Sequence, residues 1–373
     1  MVEGRLGSFA KLLLLQGVAV LVLAGLVIAG YFWIYIPAVP METVMRVVHD
    51  YGSGHAALPS PGTLARPDEI DEAYDTHINS LLALEDFAEL ERIAQKNRVE
   101  KGRVLGGSWK THEYFTTTTY PLVDGAVTDR DFQQQIAIIK RWNAAYPESA
   151  TARISLAGLY AYYAFYGRGP GFVDSINWWH WHLYRARTAL ATKTLFEAAT
   201  LKERDPYWFE AMQQVAFFEG WDKRHERELL DQAIAFEPDY YHYDRHHANY
   251  LRTEWYGEPG EIEKFAEETS SQMGEPTSSI VYFQIVSSLA CYCRQQMEDL
   301  PKASWPKIRL GYTNLSQLYG TSNTTANRFA FIAGTFNDKA SSHEAFGTIT
   351  AMDKDVWYTE SVFETSREWS NSP

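Results

Sequence analysis

The order of apolar and polar positions divides this chain in two. Leu12 to Ile36, LLLLQGVAVLVLAGLVIAGYFWIYI, holds no charged residue, and Gln16 is its only strongly polar member. As a helix rising 1.5 Å per residue the segment spans about 37 Å, enough to cross a hydrocarbon core of roughly 30 Å with some tilt. Tyr31, Phe32, Trp33 and Tyr35 gather at one end, where an interfacial aromatic belt belongs, and Pro37 and Pro40 stop the helix. A cleaved leader has a shorter apolar stretch ending in small residues, so the pattern predicts an uncleaved membrane anchor. Arg5 and Lys11 precede the span, whereas Arg46 is the sole Lys or Arg just after it. That bias predicts a single pass with the N-terminus inside; in a bacterium this is the inner (cytoplasmic) membrane, with the soluble body in the periplasm.

Residues 1–11 then form a short tail and 37–67 a linker, rich in Gly, Pro, Ser and Ala. From 68 to 373 the periodicity becomes helical. Ile70, Ala73, Tyr74, His77, Ile78 and Leu81 share one stripe, and Phe87, Leu90, Ile93 and Ala94 share the next. VLGGSWKTHEYFTTTTYPLVDGAV interrupts the pattern with β-prone Thr, Tyr and Phe, so a short extended segment is expected there. Within it, Thr116 to Tyr120 reads as an exposed loop or edge.

After Asp129 the chain reads as helix almost to its end. Starts are marked by Pro147 with Ser149, by Asp205-Pro206, by Pro238-Asp239, and by Asp353 and Asp355. Small residues (Ala198, Ala199, Ala233, Ala235) precede two of these turns and let antiparallel helices approach closely. Helix, turn with Pro, helix is the grammar of the tetratricopeptide repeat. Pro206 and Pro238 stand 32 residues apart, near the family period, but Pro147 and Pro206 are separated by 59. The expected fold is therefore all-α: one N-terminal transmembrane helix, then an irregular tetratricopeptide-like α-solenoid or helical bundle.

Three stretches, DFAELERIAQKNRVEKGRVLGGSWKTHEYF, RWNAAYPESATARISLAGLYAYYAFYGRGPG and EPDYYHYDRHHANYLRTEWYGEPGE, carry a further likeness. From about Leu84 to Trp369 the chain resembles an uncharacterised bacterial family, domain of unknown function four-zero-three-four. Gly107 with Trp109, Arg168-Gly169, and Trp255 with Gly257 are the motifs that carry it. The resemblance implies a helical fold and supplies no activity.

Composition narrows the function. Among 373 residues the net charge is -13, and no basic stripe offsets it, so nucleic acid is not an expected partner. The two cysteines, Cys291 and Cys293, are too few to staple such a chain, and i, i+2 spacing on a helix points them apart. No P-loop, dinucleotide fingerprint or nucleophile elbow is present, so no catalytic motif argues for an enzyme and no cofactor is expected.

Two aromatic and histidine clusters remain. In WWHWHLYRA, His180 and His182 lie about 200° apart on a helix and cannot share a metal. Trp178, Trp181, His182 and Arg185 form one face, a candidate partner-binding patch together with Trp255. Trp179 and Leu183 belong to the other face, expected to be buried. In YYHYDRHHANY, His242 and His246 are i and i+4 with Asp239 one turn earlier, a spacing that suits a metal pair but lacks a third ligand and a Glu base. The competing reading is histidines and tyrosines lining a groove between helices.

The pattern as a whole predicts a scaffold or accessory subunit that touches the bilayer through Leu12–Ile36 and grips another membrane protein or complex. An envelope glycan-active enzyme and a metal- or cofactor-binding sensor are the alternatives. The first would need two carboxylates facing each other across a cleft, which spacing alone does not pair.

Overall fold

Local capping starts the helices where polar residues precede apolar runs. In the computed structural model, which describes residues 38–53, 70–121, 123, 125–169, 176–290 and 300–372, the body is all-α. Among these residues there are 17 α-helices and no strand, and a single isolated bridge joins Arg103 to Trp109. The first six are α1 (Met41–Gly52), α2 (Asp71–Ala83), α3 (Phe87–Glu100), α4 (Lys110–Thr119), α5 (Asp129–Ala145) and α6 (Ala150–Arg168). Then come α7 (Trp178–Ala199), α8 (Tyr207–Glu219), α9 (Lys223–Phe236), α10 (His242–Tyr250), α11 (Glu261–Ser270) and α12 (Thr277–Val286). The last are α13 (Trp305–Tyr319), α14 (Asn323–Thr335), α15 (Lys339–Phe346), α16 (Lys354–Trp357) and α17 (Glu360–Asn371).

Several expected starts are present as caps. Ser149 Oγ accepts the Ala152 N–H at 3.0 Å, and Asp205 Oδ1 accepts the Tyr207 N–H at 2.9 Å. Asp353 caps α16 in the same way, at 2.9 Å from the Asp355 N–H. The start expected at Pro238-Asp239 lies three residues later, at His242. Consecutive helices then pack on one another, α6 on α7 most extensively, with α12 on α13 and α14 on α15 in the same manner. Ala198 and Ala233 are fully buried, as close approach requires, whereas Ala235 is exposed.

The linker expectation is corrected over its first part. Met41–Gly52 is a helix, and Val44, Val48 and Tyr51 at i, i+4 and i+7 bury one face of it, against α9. Tyr51 stacks on Trp208 at 4.1 Å, accepts the Asp205 N–H at 2.8 Å and donates to the Asp205 carbonyl at 3.2 Å. That buried hydroxyl ties α1 to the start of α8, so the segment is part of the body.

The threonine run is also corrected. Thr116 to Thr119 is the last turn of α4, and Thr117, Thr118 and Thr119 are buried. Their hydroxyls return to backbone carbonyls one turn earlier, Thr117 to Glu113 at 3.0 Å and Thr119 to Phe115 at 2.6 Å. Thr118 reaches Ser155 of α6 at 2.9 Å. Satisfied in this way, the hydroxyls pack against α6 at no cost in lost hydrogen bonds, and tertiary contact overrides β-propensity.

On α2 only part of the expected stripe is inside: Tyr74, Ile78 and Leu81 are buried, while Ile70, Ala73 and His77 face solvent. No helix among the described residues is long and apolar enough to cross a membrane. The expected anchor, Leu12–Ile36 with Tyr31, Phe32, Trp33 and Tyr35, lies outside the described residues, as do Cys291 and Cys293.

Candidate functional site

Glu210 is an acid in an otherwise apolar stretch, YWFEAM, and it sits on the buried face of α8 at 2 % exposure. An isolated carboxylate there would cost several kcal/mol in desolvation, so partners must surround it. Three do. His112 of α4 places Nδ1 2.8 Å from Oε1, His246 of α10 places Nε2 2.9 Å from the same oxygen, and the Tyr240 hydroxyl donates to Oε2 at 2.7 Å. His242, at the first position of α10, stacks face to face on His112 with ring centroids 3.8 Å apart.

The sequence around Trp109 sets this convergence. Trp109 is buried beside the start of α4 and donates its indole N–H to the Asp239 carbonyl at 3.1 Å, which holds the lead-in to α10. Arg103 lies over the same indole at 4.8 Å. Gly107 has φ +81, and a Cβ there would meet the Tyr319 ring at 2.8 Å, so glycine suits both the turn and the packing. On the other side, Arg98 pairs with Asp205 at 3.1 Å and fixes the start of α8. Lys101 pairs with Glu237 at 2.8 Å and ties the end of α3 to the end of α9.

Electrostatics separates the two stacked imidazoles. Burial alone would lower His112, but the Glu210 carboxylate more than offsets it and holds His112 above the usual range. Burial pushes His242 well below its usual value, and the neighbouring His112 adds to that. Glu210 is raised by burial, yet His112 and then His246 bring it well below the ordinary carboxylate value. The two stacked rings are thus shifted in opposite directions beside a carboxylate held below its usual range.

Two details favour a ligand over a closed ion pair. His112 Nδ1 is near Glu210 but out of line for a hydrogen bond, and it has no other partner. His242 Nε2 faces two possible donors, the Ser108 hydroxyl at 3.3 Å and the Trp109 N–H at 3.4 Å. The ligand atoms of His112, Glu210 and His242 all lie within 4.8 Å of one another, close enough for one metal ion. Nearby, Asp75 of α2 is pushed up to about 7, first by burial and then by Glu113, and its Oδ1 is buried without a hydrogen-bond partner.

The sequence candidates are placed differently from expectation. His242 and His246 both face Glu210, as their i, i+4 spacing allows. Asp239 is not part of the group, because its backbone carbonyl is committed to Trp109 ahead of the helix. The expectation of a buried Trp179 and Leu183 is corrected: Trp179 is 42 % exposed, Leu183 is half-buried, and Tyr184, Thr188, Ala191 and Leu195 form the inner face. The reason is position along α7. Arg168, the last residue of α6, lies 5.9 Å from the Trp181 ring, so the turn before Trp181 projects past the end of α6. Trp178 is 66 % exposed there, His180 and Arg185 are exposed, and Trp181 and His182 are half-buried. Trp255 lies edge-on to Phe217 at 5.0 Å.

Sequence reading missed His112 and Glu210. His112 lay in the stretch taken for an interruption and gave no signal. Glu210 gave one: a single acid between Phe209 and Ala211-Met212 in a largely apolar helix. Comparison of the chain with family models, with curated proteins and with solved structures yields no match. The family likeness described above therefore rests on its motifs alone.

Proposed function

We propose that this chain is a membrane-tethered, tetratricopeptide-like helical protein whose body binds a divalent transition metal through His112, Glu210 and His242. The observation that carries the reading is the convergence of two imidazoles and a carboxylate from α4, α8 and α10 with ligand atoms within 4.8 Å. Two histidines and one carboxylate form the donor set of hydrolytic zinc sites and of non-haem iron sites. Tetrahedral ligands about 2.05 Å from a zinc ion stand about 3.3 Å apart, so the 2.8 Å between His112 and Glu210 must open by about half an ångström. Opening it breaks no hydrogen bond of His112. Tyr240 already holds the second oxygen of Glu210, the outer support such sites need. Pairwise packing of consecutive helices supports the repeat-like reading of the body.

The test is titration of chelator-treated protein with Co2+ and Zn2+, followed by absorption spectroscopy and calorimetry. One equivalent is expected to bind, and His112→Ala or His242→Ala should weaken it by at least about tenfold. Equal uptake by the wild type and the double variant would overturn the reading.

A second reading, an accessory subunit of a larger membrane complex, is favoured by an exposed aromatic end of the body. Trp178, Trp179, Phe165 and Tyr166 are exposed, Phe165 stacks on Phe218 at 5.3 Å, and Phe217 meets the exposed Trp255. Such rings are the usual anchors of protein contacts. Mild-detergent extraction and native mass spectrometry should recover a stoichiometric membrane partner that Trp178→Ser with Trp179→Ser releases. A solitary monomer would sink this reading.

A further inference from the structure

The packing of α1 gives the chain's entry into the body a direction. Tyr51, in the last turn of α1, stacks on Trp208 at 4.1 Å and on Phe236, the last residue of α9, at 5.8 Å. Trp208, in the first turn of α8, donates its indole N–H to the Leu195 carbonyl near the end of α7 at 2.8 Å. The ends of α7 and α9 therefore lie level with the end of α1. α1 packs on these two helices, and its Val44 and Val48 are buried. Neither α7 nor α9 continues past that level, so α1 buries its valines by running back alongside both, parallel to them. Its first residue, Met41, then lies toward the end of the body where α7 and α9 begin.

That end is the aromatic one. Tyr184 of α7 donates to the Phe218 carbonyl at 2.7 Å, Phe218 stacks on Phe165 at 5.3 Å, and α9 begins just after it, at Lys223. Trp178 and Trp179 precede Tyr184 by six and five residues, which carries them about 8–9 Å further along α7. Phe165, Tyr166, Trp178, Trp179 and Trp255 are all exposed. Soluble domains seldom leave so many rings together in water. Charge does not single out this end: Arg185 and Arg224 are exposed there, and so are Glu219 and Asp222. Amphipathic rings without a charge bias suit the headgroup boundary of a bilayer.

The expected span ends at Ile36, and the five steps from there to Met41 cover at most about 18 Å when fully extended. Met41 is therefore held close to the membrane at the end of the body that bears the rings. We propose that the body sits with this aromatic end on the bilayer, with Trp178 and Trp179 inserted at the boundary between headgroups and acyl chains. This placement rests on the membrane tether proposed above, and it puts lipid where the accessory-subunit reading puts protein.

The experiment reconstitutes the full-length chain alone in nanodiscs of phosphatidylcholine, with acyl chains either plain or brominated near the headgroup, and compares tryptophan emission. Bromine quenches only rings that touch the lipid. Of the 12 tryptophans, the tether by itself brings Trp33 to the bilayer. Docking adds Trp178, Trp179 and Trp255, so the quenched emission should be about fourfold that of one ring, and Trp178→Phe with Trp179→Phe should cut it roughly in half. Trp142→Phe should leave it unchanged, because the adjacent Asn143 bonds the Ala152 carbonyl at the start of α6, the opposite end of the body. Quenching limited to the share of one ring would overturn the proposal in the wild type, whatever the variants do. That is the outcome if a partner protein, or the chain's own residues, cover this end in place of lipid. Release of the chain from membranes by alkaline carbonate would instead sink the tether, so the two failures are told apart.

Discussion

Glu210→Ala is expected to destabilise the body by about 3 kcal/mol, near the lower edge of what removing one partner of a buried ion pair costs. The hydrogen-bonded His246 and Tyr240 hydroxyl lose their partner, and His112 loses the carboxylate beside it. The cost stays at that edge because Glu210 is the main group that raises His112, and once the carboxylate is gone burial lowers the imidazole toward its neutral form. Glu210→Gln keeps the shape and an oxygen for Tyr240, so a loss of about 1–2 kcal/mol is expected, the range for a weakened buried hydrogen bond. Urea unfolding of both variants gives the comparison. A loss below about 1 kcal/mol for the alanine variant would mean that the centre does not hold α4, α8 and α10 together.

Gly311→Ala should also destabilise, although alanine is the better helix former. Gly311 lies in α13 where it crosses α12, and a Cβ there would sit 2.0 Å from the Ser279 carbonyl oxygen and 2.6 Å from Phe283 Cβ. The helix-propensity gain is about 1 kcal/mol. Against it stands overpacking, commonly about 1–3 kcal/mol, and larger when the obstacle is backbone that cannot rotate away. We expect a net loss of about 2 kcal/mol as α12 and α13 are pushed apart, seen as a lower Tm. A higher Tm would show that these helices have room between them.

How much of this was legible in sequence follows from the range of each interaction. Helix starts at Ser149, Asp205-Pro206 and Asp353 depend on a side chain bonding an N–H two or three residues away, so the sequence displays cause and effect together. The i, i+4 pairing of His242 with His246 is similarly local, and both do face one carboxylate. The acid itself is 32 residues before His242 and the fourth member, His112, is 98 before Glu210. Nothing in spacing or periodicity links positions so far apart.

The same distinction explains the corrections. Met41–Gly52 looked like the start of a tether because Gly, Pro and Ser follow it, but the i, i+4, i+7 set of Val44, Val48 and Tyr51 was already present in its sequence. The threonine run has strong β-propensity, and only the surface of α6 makes a buried helical turn the better outcome for it. Trp178 and Trp179 are exposed because α6 ends at Arg168, a fact about a neighbour and not about α7.

By itself, then, the sequence determined that this body is helical and where many of its helices begin, because capping and amphipathic period act over one or two turns. Only the tertiary structure decided that His112, Glu210 and His242 meet. Those contacts depend on which helix faces lie opposite each other once the chain has folded, and burial then gives the assembled charges their strength.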